Sequence, residues 1–478
     1  MNYTLSKIAR AVGAELVLPA SDATTKVPTK VGTDSRTSVT GELFVCLIGK
    51  YFDGHDHAAA AVAAGAIAIL GSRSLSPVPR IPYLRVTDSL VALGRLGHFH
   101  RSRTRATVVG ITGTAGKTTT KELLAGILDL AGPTARNFLN LNNRIGLPLS
   151  LLQATGDEYF WVFEVGISKF GEMEDLADIL APDLALVLNI GPGHLQGLGD
   201  ITDVAAAKCR LMRGMTSKGT GLVCMDYPEL VASAAATGRP WINFSCRGAM
   251  APYRGRFIKM TTPDTSSAPV GRFLLHLDDI EIIANIPWAA PFLVENITAA
   301  AAAAHWLGLT PDIIRRGLEA FTSNIQRFRC VPAGGWLVID DTYNANPLST
   351  AAALDGALTL ASGQPLVLFL SEMHELGIKA AAAHKALGRS IAALAPAGVF
   401  WYGGHVKDIL IGLNTAGYVG AWQSVVNPAD CMPLLRTISR NNSIPITRTC
   451  SLPVLLIKGS RSNHMERFTQ ALIEELMR

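Results

Sequence analysis

Short hydrophobic runs recur along the chain, and polar or glycine-rich segments separate them. The runs are rich in Val, Ile, Leu and Phe, which is typical of buried strands. Segments with helical spacing lie between them, such as residues 4–14, which place Leu5, Ile8 and Val12 on one face. Strands are predicted at residues 43–48, 66–70, 107–111, 160–164, 184–190, 336–341, 366–370, 398–402 and 453–457. This alternation predicts an α/β fold with parallel sheets and helical crossovers.

A glycine-rich loop joins the strand at 107–111 to a predicted helix at 118–130. It is shorter than the pattern G-x-x-x-x-G-K-[ST], because Ile111 stands where that pattern needs glycine. In such a loop, backbone N–H groups and the helix N-terminus attract phosphate, Lys117 adds a positive charge, and the Thr118 hydroxyl is a ligand for Mg²⁺. The alternative is a glycine turn before a surface helix, but the order of strand, loop, lysine and helix favours a triphosphate site. The predicted ATP-binding residues here are Gly113, Thr114, Ala115, Gly116, Lys117, Thr118 and Thr119.

The chain has 478 residues, which is too long for one hydrophobic core. A proline-rich connector at 76–82 follows the first strands, and an alanine-rich helix at 299–307 closes the part that begins with the phosphate loop. We predict a small N-terminal α/β domain at 1–100 and a central P-loop, parallel-sheet ATPase domain at 101–312. A Rossmann-like α/β domain is predicted at 313–478.

Composition narrows the functional classes. The net charge is +5 and the basic residues do not cluster as nucleic-acid binding requires, so no nucleic-acid partner is expected. The seven cysteines are scattered and form no C-x-x-C pair, which argues against a disulfide framework or a zinc site. The longest apolar run, 58–70, is too short to span a bilayer. We therefore expect no membrane insertion and a cytoplasmic location, where ATP is present.

Three residues downstream of the loop carry candidate chemistry. Glu164 ends a hydrophobic strand, at the sheet edge where ligands of parallel sheets bind, and its carboxylate could hold Mg²⁺. The alternative for Glu164 is a solvent-facing acid. His194 follows the next strand in a glycine-rich loop and is either a metal or phosphate contact or an ordinary loop histidine. Lys208 lies in a predicted helix at 203–212, and the pattern alone favours a solvated lysine.

Nine short segments complete the pattern: GITGTAGKTTTKE (110–122), NLNNRIGLP (140–148), EVGIS (164–168), NIGPGH (189–194), AK (207–208), DSRT (34–37), FDGH (52–55), DDTYNANP (340–347) and KGSR (458–461). Together they resemble the Mur ligases, the ATP-dependent amide ligases of peptidoglycan precursor synthesis. The resemblance covers nearly the whole chain, and it is carried most specifically by the phosphate loop and by the Tyr-Asn-Ala-Asn-Pro segment.

The resemblance implies a role for each domain and for individual residues. The first domain would bind a UDP-sugar, the central one ATP, and the third would close over the site with the incoming dipeptide. The implied UDP-substrate residues are Asp34, Ser35, Arg36, Thr37, Asn142 and Asn143, and the further ATP-binding residues are Asn296, Arg327, Asp341 and Asn344, with Tyr343 beside them. Two Mg²⁺ ions are implied, the first on Thr118 and Glu164 and the second with His194. Lys208 matches a lysine that the family carbamylates, which would make it an anionic metal-binding group. The catalytic set is then Lys117, Glu164, His194 and Lys208.

The segments near the C-terminus are similar to the branch that joins D-alanyl-D-alanine to UDP-N-acetylmuramoyl-tripeptide through an acyl phosphate, which implies a monomeric enzyme. The chain departs from the family pattern at Ala115, Cys209–Arg210, Gln326 and Ser371–Glu372. Two alternatives therefore stay open. One is a sister amide ligase that adds diaminopimelate or lysine, or extends folate with glutamate, although the chain has no Asp-Asn-Pro-Arg signature and carries an N-terminal unit that a folate enzyme would not need. The other is an inactive, nucleotide-binding paralogue.

Overall fold

The structure is a computed structural model that describes residues 3–17, 25–75, 80–138, 141–191, 198–261, 269–287, 290–322, 326–441 and 452–478. These residues form three β-sheets, which follow one another along the chain, with helices packed against them. The α/β fold predicted from the hydrophobic pattern is confirmed. Among the described residues, no helix is both long and apolar enough to cross a membrane.

The N-terminal sheet has five strands in the order β1-β5-β4-β3-β2. Its elements are α1 (Leu5–Val12), β1 (Glu15–Val17), β2 (Lys30–Gly32), β3 (Glu42–Val45), α2 (Ala58–Ala63), β4 (Ala68–Gly71), β5 (Tyr83–Arg85) and α3 (Ser89–Arg101). Only β1 runs antiparallel to its neighbour. The amphipathic helix predicted at 4–14 is confirmed as α1, which buries Leu5, Ile8 and Val12.

The central sheet has nine strands in the order β14-β13-β12-β11-β10-β9-β6-β8-β7. Its elements are β6 (Thr107–Thr112), α4 (Lys117–Leu128), β7 (Thr134–Arg136), α5 (Gly146–Gln153), β8 (Phe160–Glu164), α6 (Glu172–Leu180), β9 (Leu184–Val187), α7 (Ile201–Cys209), β10 (Thr220–Cys224), α8 (Pro228–Ala235), β11 (Trp241–Ser245), β12 (Tyr253–Thr261), β13 (Val270–Leu277), β14 (Ile280–Pro287), α9 (Val294–Trp306) and α10 (Pro311–Glu319).

The parallel part of this sheet runs from β7 to β12, and two antiparallel pairings add β13 and β14 at one edge. Strand β6 lies between β8 and β9, so the phosphate loop has a strand end on each side. Alternate side chains of β6 point to opposite faces of the sheet. Val109 and Ile111 pack in the core with α4 and α9, whereas Val108 packs in the core with α6 and α7. This burial on both faces fixes the position of the strand that leads into the loop.

The C-terminal sheet has six strands in the order β15-β16-β20-β17-β18-β19, all parallel except β15. Its elements are β15 (Arg329–Ala333), β16 (Trp336–Asp341), α11 (Pro347–Ala361), β17 (Leu366–Ser371), α12 (Ala380–Leu394), β18 (Gly398–Tyr402), α13 (Val406–Thr415), β19 (Ala421–Ser424), α14 (Met432–Asn441), β20 (Val454–Lys458) and α15 (Glu466–Met477). Asn346 caps α11 and Pro347 is its first residue, and both residue types are favoured at these positions of a helix.

Helix α3 joins the N-terminal sheet to the central unit through its last turn. The buried Arg101 guanidinium donates hydrogen bonds to the carbonyl oxygens of Leu180 and Ala181 and pairs with Asp183 at 2.9 Å. On the other side of the central unit, Gly317 of α10 lies so close to Ile127 that a Cβ there would meet its Cα at 2.6 Å. The domain limits at 100/101 and 312/313 stay a prediction.

Candidate active site

The phosphate loop connects the end of β6 to the start of α4 at Lys117. Gly116 has φ +77°, and a Cβ at this position would lie 2.1 Å from the side-chain nitrogen of Asn296. Only glycine satisfies both the left-handed conformation and this close approach. Asn296 donates to the Gly116 carbonyl at 3.2 Å and to the Thr120 hydroxyl at 2.9 Å. The Lys117 ammonium donates a hydrogen bond across the loop to the Gly113 carbonyl at 2.9 Å, and this contact holds the two ends of the loop together.

Asn189, which follows β9, holds the loop from the other side. Its Oδ1 accepts from the backbone N–H groups of Thr114 at 3.0 Å and Ala115 at 2.9 Å, and its Nδ2 donates to the Ala115 carbonyl at 3.1 Å. The family departure at Ala115 therefore leaves the backbone of that residue fully bonded. In the sequence, Asn189 stands out only as part of the segment NIGPGH (189–194), and this positioning role was not predicted.

Thr118 lies in the first turn of α4, which follows β6, and Glu164 ends β8. The two residues meet because β6 and β8 are parallel neighbours whose ends lie at the same edge of the sheet. The Thr118 hydroxyl donates to Oε2 of Glu164 at 2.6 Å, and Asn142 donates to Oε1 at 2.5 Å. Glu164 is 1% exposed, which excludes the solvent-facing alternative. Asn137 also fixes its backbone, because it accepts from the Glu164 N–H and donates to the Glu164 carbonyl, both at 3.0 Å.

This pair of oxygen ligands fits Mg²⁺, which prefers carboxylate and hydroxyl oxygens and is commonly held by few protein groups. Among the described residues, no cluster of three or more His, Cys, Asp or Glu side chains could hold a metal ion. His194, predicted to hold a second ion, lies outside the described residues. The described donor set therefore consists of Thr118 and Glu164.

Lys208 is buried near Lys117, although the sequence pattern alone favoured a solvated side chain. That interpretation is wrong, since Lys208 is 3% exposed. Burial, with a further contribution from the Lys117 charge, holds the pKa of the Lys208 amine well below its usual range. The pKa of Lys117 is also lowered by burial, while Glu164 opposes that shift. The site thus contains an amine that is readily neutral beside a second lysine.

Arg327 reaches the loop from the segment that leads into the C-terminal sheet. Its Nη2 donates to the Thr118 hydroxyl at 2.8 Å, and its guanidinium lies 3.7 Å from the centre of the Tyr343 ring. Within the described part of the chain, Nε of Arg327 is buried without a hydrogen-bond partner. An unpaired buried donor beside a phosphate loop fits an anionic ligand such as a nucleotide phosphate.

Asp341 is tied to the backbone that carries Arg327. It accepts from the Phe328 N–H at 3.1 Å and from the Lys458 ammonium at 2.6 Å, and the same ammonium donates to the Asn344 carbonyl at 2.9 Å. Residues 326 and 328 have φ of +67° and +52°, so this arm holds a conformation that favours glycine. The Lys458–Asp341 contact stabilises that arm.

The implied UDP-substrate residues divide into two groups. Asp34, Ser35, Arg36 and Thr37 form a turn, in which hydrogen bonds from Arg36 lower the pKa of Asp34 to about 2. In the described residues, no hydrogen bond or ion pair joins this turn to the central unit. Asn142 lies against Glu164, whereas Asn143 accepts from the N–H groups of residues 145 and 146 at the start of α5. The structure thus brings Asn142, but not the 34–37 turn, into the loop site.

Cys209 and Arg210, which follow Lys208 and depart from the family pattern, have side chains that contact groups outside the phosphate-loop site. Arg210 pairs with Glu174 on α6, and the Cys209 thiol contacts the Leu230 carbonyl at 3.7 Å. The Arg210 side chain is therefore paired with the Glu174 carboxylate and adds no free positive charge at Lys208. At another departure, in the C-terminal unit, the Ser371 hydroxyl accepts a hydrogen bond from Asn463 at 2.9 Å.

Comparison with known proteins gives matches along most of the chain. The family described as Mur ligase middle domain matches residues 111–304, the Mur ligase glutamate ligase domain matches 326–410, and the Mur ligase family catalytic domain matches 27–98. The UDP-N-acetylmuramoyl-tripeptide–D-alanyl-D-alanine ligase of Escherichia coli K12 is 32% identical over 99% of both chains. The ligase of the same name from Bacillus subtilis 168 is 31% identical over 84% of this chain and 85% of its own.

Two solved structures show the same architecture. MurF from Acinetobacter baumannii superposes with a TM-score of 0.85 at 29% identity, over 99% of each chain. The MurF ligase from Thermotoga maritima, solved in complex with ADP, gives a TM-score of 0.79 at 25% identity, over 94% of this chain and 97% of its own. The three-sheet arrangement is therefore shared with structures of proteins that match nearly the full chain.

Proposed function

The chain belongs to the Mur ligase family, and from this premise we propose that it joins D-alanyl-D-alanine to UDP-N-acetylmuramoyl-tripeptide, with conversion of ATP to ADP and phosphate. The observation that carries the proposal is the junction at Thr118, where the phosphate loop, the Glu164 carboxylate and Arg327 meet. Such a junction suits phosphoryl transfer, in which positioning and electrostatic stabilisation supply most of the catalysis.

A carboxylate is a poor acyl donor, so the reaction needs an activated intermediate. The terminal carboxylate of the tripeptide attacks the γ-phosphorus of ATP, the bond to the bridging oxygen breaks, and ADP leaves. The amine of D-alanyl-D-alanine then attacks the acyl phosphate carbon, loses a proton, and the tetrahedral intermediate collapses to amide and inorganic phosphate. Lys117 and the loop N–H groups would hold the phosphates in line, and Arg327 would stabilise the charge that develops on them.

Thr118 and Glu164 are the residues that would hold the first Mg²⁺, and His194 is assigned to a second ion by resemblance. Bound Mg²⁺ supplies charge neutralisation between the phosphates and the carboxylate. Asn142 orients the Glu164 carboxylate from the side opposite Thr118, since each contacts a different oxygen. Two side chains from different segments therefore orient this carboxylate.

Carbamylation of Lys208 is part of the proposal. A neutral amine can attack CO₂, forming an N–C bond and releasing a proton, and the product is an anionic carbamate. The burial and lowered pKa of Lys208 support this step, because they favour the neutral, nucleophilic amine. The carbamate would replace a neutral amine by an anionic group beside Lys117.

The remaining assignments follow the family. Asp34, Ser35, Arg36 and Thr37 would bind the uridine nucleotide, Asn143 would face the substrate, and Asn296, Asp341 and Asn344 would contact or frame ATP. The limits 1–100, 101–312 and 313–478, a cytoplasmic location and a monomeric state belong to the same proposal. A closing movement of the C-terminal unit would exclude water, which would otherwise hydrolyse the acyl phosphate.

The test is phosphate release from ATP with Mg²⁺ and UDP-N-acetylmuramoyl-tripeptide, with and without D-alanyl-D-alanine. Release that needs both substrates is the expected result. Release that depends instead on a single amino acid, such as diaminopimelate, lysine or glutamate, would indicate a sister ligase. Binding of ATP without release under any of these conditions would refute catalysis and indicate a nucleotide-binding paralogue.

A further inference from the structure

Glu295, at the start of α9, lies directly behind the phosphate loop and outside every role assigned so far. Its Oε1 accepts a hydrogen bond from Nδ2 of Asn189 at 2.5 Å, and its Oε2 accepts one from the Tyr227 hydroxyl at 3.0 Å. The pKa of Glu295 is raised because the surrounding protein removes the carboxyl group from water, and both hydrogen bonds oppose that shift. A carboxyl group in this setting is held by specific partners rather than by solvent.

The contact with Asn189 decides which way the asparagine amide faces. Its Oδ1 must point toward the N–H groups of Thr114 and Ala115, because a flipped amide would place its own N–H₂ against these two donors. Oε1 of Glu295 accepts from the Nδ2 end of the amide, and an ionised carboxylate has no proton to donate to a flipped amide, so Glu295 stabilises the orientation that holds the loop. The second tie on Nδ2, to the Ala115 carbonyl at 3.1 Å, is made in the same orientation.

The neighbours of Glu295 anchor it to two other elements. Tyr227 precedes α8, and its ring lies 5.0 Å from the Arg247 guanidinium, whose Nη2 donates to the Tyr227 hydroxyl at 3.3 Å. Glu295 is also one residue before Asn296, which contacts Gly116 and Thr120. The start of α9 thus touches the loop twice, directly through Asn296 and indirectly through Glu295.

We propose that Glu295 is a positioning residue for the phosphate loop, which acts through Asn189 on the backbone of Thr114 and Ala115 and so sets the affinity for the nucleotide. The loop contacts phosphates both before and during the reaction, so a disordered loop weakens binding of the ground state and the transition state alike. The effect of losing Glu295 therefore falls on KM for ATP and on the dissociation constant for ADP, with little change in kcat. The inference rests on the proposed function only in that the loop binds a nucleotide.

The experiment compares Glu295→Leu, which removes the acceptor, with Glu295→Gln, which keeps an oxygen for Asn189. ADP binding is measured by calorimetry, and KM for ATP and kcat are measured by phosphate release. For Glu295→Leu we expect about tenfold weaker ADP binding and about tenfold higher KM for ATP, the size of one lost hydrogen bond to a charged group, with kcat within about twofold. Glu295→Gln should stay within about threefold of the unsubstituted protein in both constants.

Tyr227→Phe is the matched control, because it removes a hydrogen bond from the same carboxylate but leaves the Asn189 contact. It should lower the melting temperature while ADP binding stays within about twofold. Equal loss of ADP binding in Tyr227→Phe and Glu295→Leu would overturn the proposal, since the effect would then come from packing of the whole cluster. Unchanged ADP binding in Glu295→Leu would overturn it as well, as would a Glu295→Gln variant as weak as Glu295→Leu.

Circular dichroism establishes that each variant is folded, and the unbranched Glu295→Met replaces Glu295→Leu if the latter is not. ADP binding separates this inference from the proposed reaction. An unsubstituted protein that binds ADP but releases no phosphate would refute the ligase activity, and the Glu295 variants would still be judged by their ADP affinities.

Discussion

Nη2 of Arg327 donates a hydrogen bond to the Thr118 hydroxyl at 2.8 Å, although the two residues are 209 positions apart in the chain. The same hydroxyl donates to Glu164 at 2.6 Å. One small side chain therefore connects the phosphate loop, the sheet edge and the arm that leads into the C-terminal unit. A substitution at Arg327 should therefore alter the phosphate-binding site.

The first prediction concerns Arg327→Lys. The planar guanidinium both contacts Thr118 and stacks on Tyr343, and an ammonium group cannot reproduce this combination. We expect kcat/KM for ATP to fall about 10- to 100-fold, as for loss of a charged hydrogen bond, in steady-state phosphate release. Arg329→Lys is the control, because Arg329 is exposed on β15 two residues later. A similar loss in both variants would contradict a specific role for Arg327.

The second prediction concerns Lys117→Ala. Its ammonium donates across the loop to the Gly113 carbonyl, and its positive charge is assigned to the phosphates. We expect turnover to fall roughly 10²- to 10³-fold or more, by analogy with loss of one transition-state donor. Lys218→Ala, at an exposed position, should leave turnover unchanged. Near-normal turnover in Lys117→Ala would refute the phosphate-loop assignment.

The phosphate site could be predicted from sequence because its signals are local. The loop, the strand before it and the helix after it are contiguous, and parallel strands bring Glu164 to the same edge as Thr118 whatever the rest of the chain does. The predicted helix at 118–130 and strand at 107–111 agree with α4 and β6 within one or two residues at each end.

The contacts that complete the site could not be predicted in this way. Glu295 and Asn189 are 106 residues apart in the sequence, and no spacing or periodicity predicts their contact. The burial of Lys208 depends on how α7 packs against the sheet, so a helical lysine in the sequence gave no sign of it. The antiparallel edge formed by β13 and β14 was also not predicted, because these strands mix polar and apolar residues and form no wholly hydrophobic run.

The third prediction concerns Lys208→Ala. If the lysine acts as a carbamate, the variant should lose most of its activity, and short carboxylates such as acetate or formate should partly restore it by occupying the vacated space. Lys208→Arg, which introduces a permanent cation that cannot be carbamylated at neutral pH, should be inactive and should not respond to carboxylates. Full activity of Lys208→Ala without added carboxylate would contradict the carbamate role.

The fourth prediction concerns the effect of pH on the junction between α3 and the central unit. His100 is 4% exposed, its Nε2 donates to the Ala154 carbonyl at 2.9 Å, and its Nδ1 accepts from the Tyr3 hydroxyl at 3.0 Å. This arrangement requires the neutral ring, and burial lowers the pKa of His100 below its ordinary value of about 6.5. The unfolded chain therefore binds a proton at a higher pH than the folded chain does.

Because the folded-state pKa is the lower one, the contribution of His100 to stability is complete above about pH 6.5 and declines as the pH falls below that value. The slope from one such group is at most about 1.4 kcal/mol per pH unit.

His100→Gln keeps a donor for Ala154 and an acceptor for Tyr3 without titrating, so its free energy of unfolding should fall less between pH 7.5 and pH 5.5. The measurement is chemical denaturation at both pH values. His98→Gln, at an exposed position on the same helix, should retain the full pH dependence of the unsubstituted chain. If His100→Gln shows that full dependence too, the loss of stability arises from other groups.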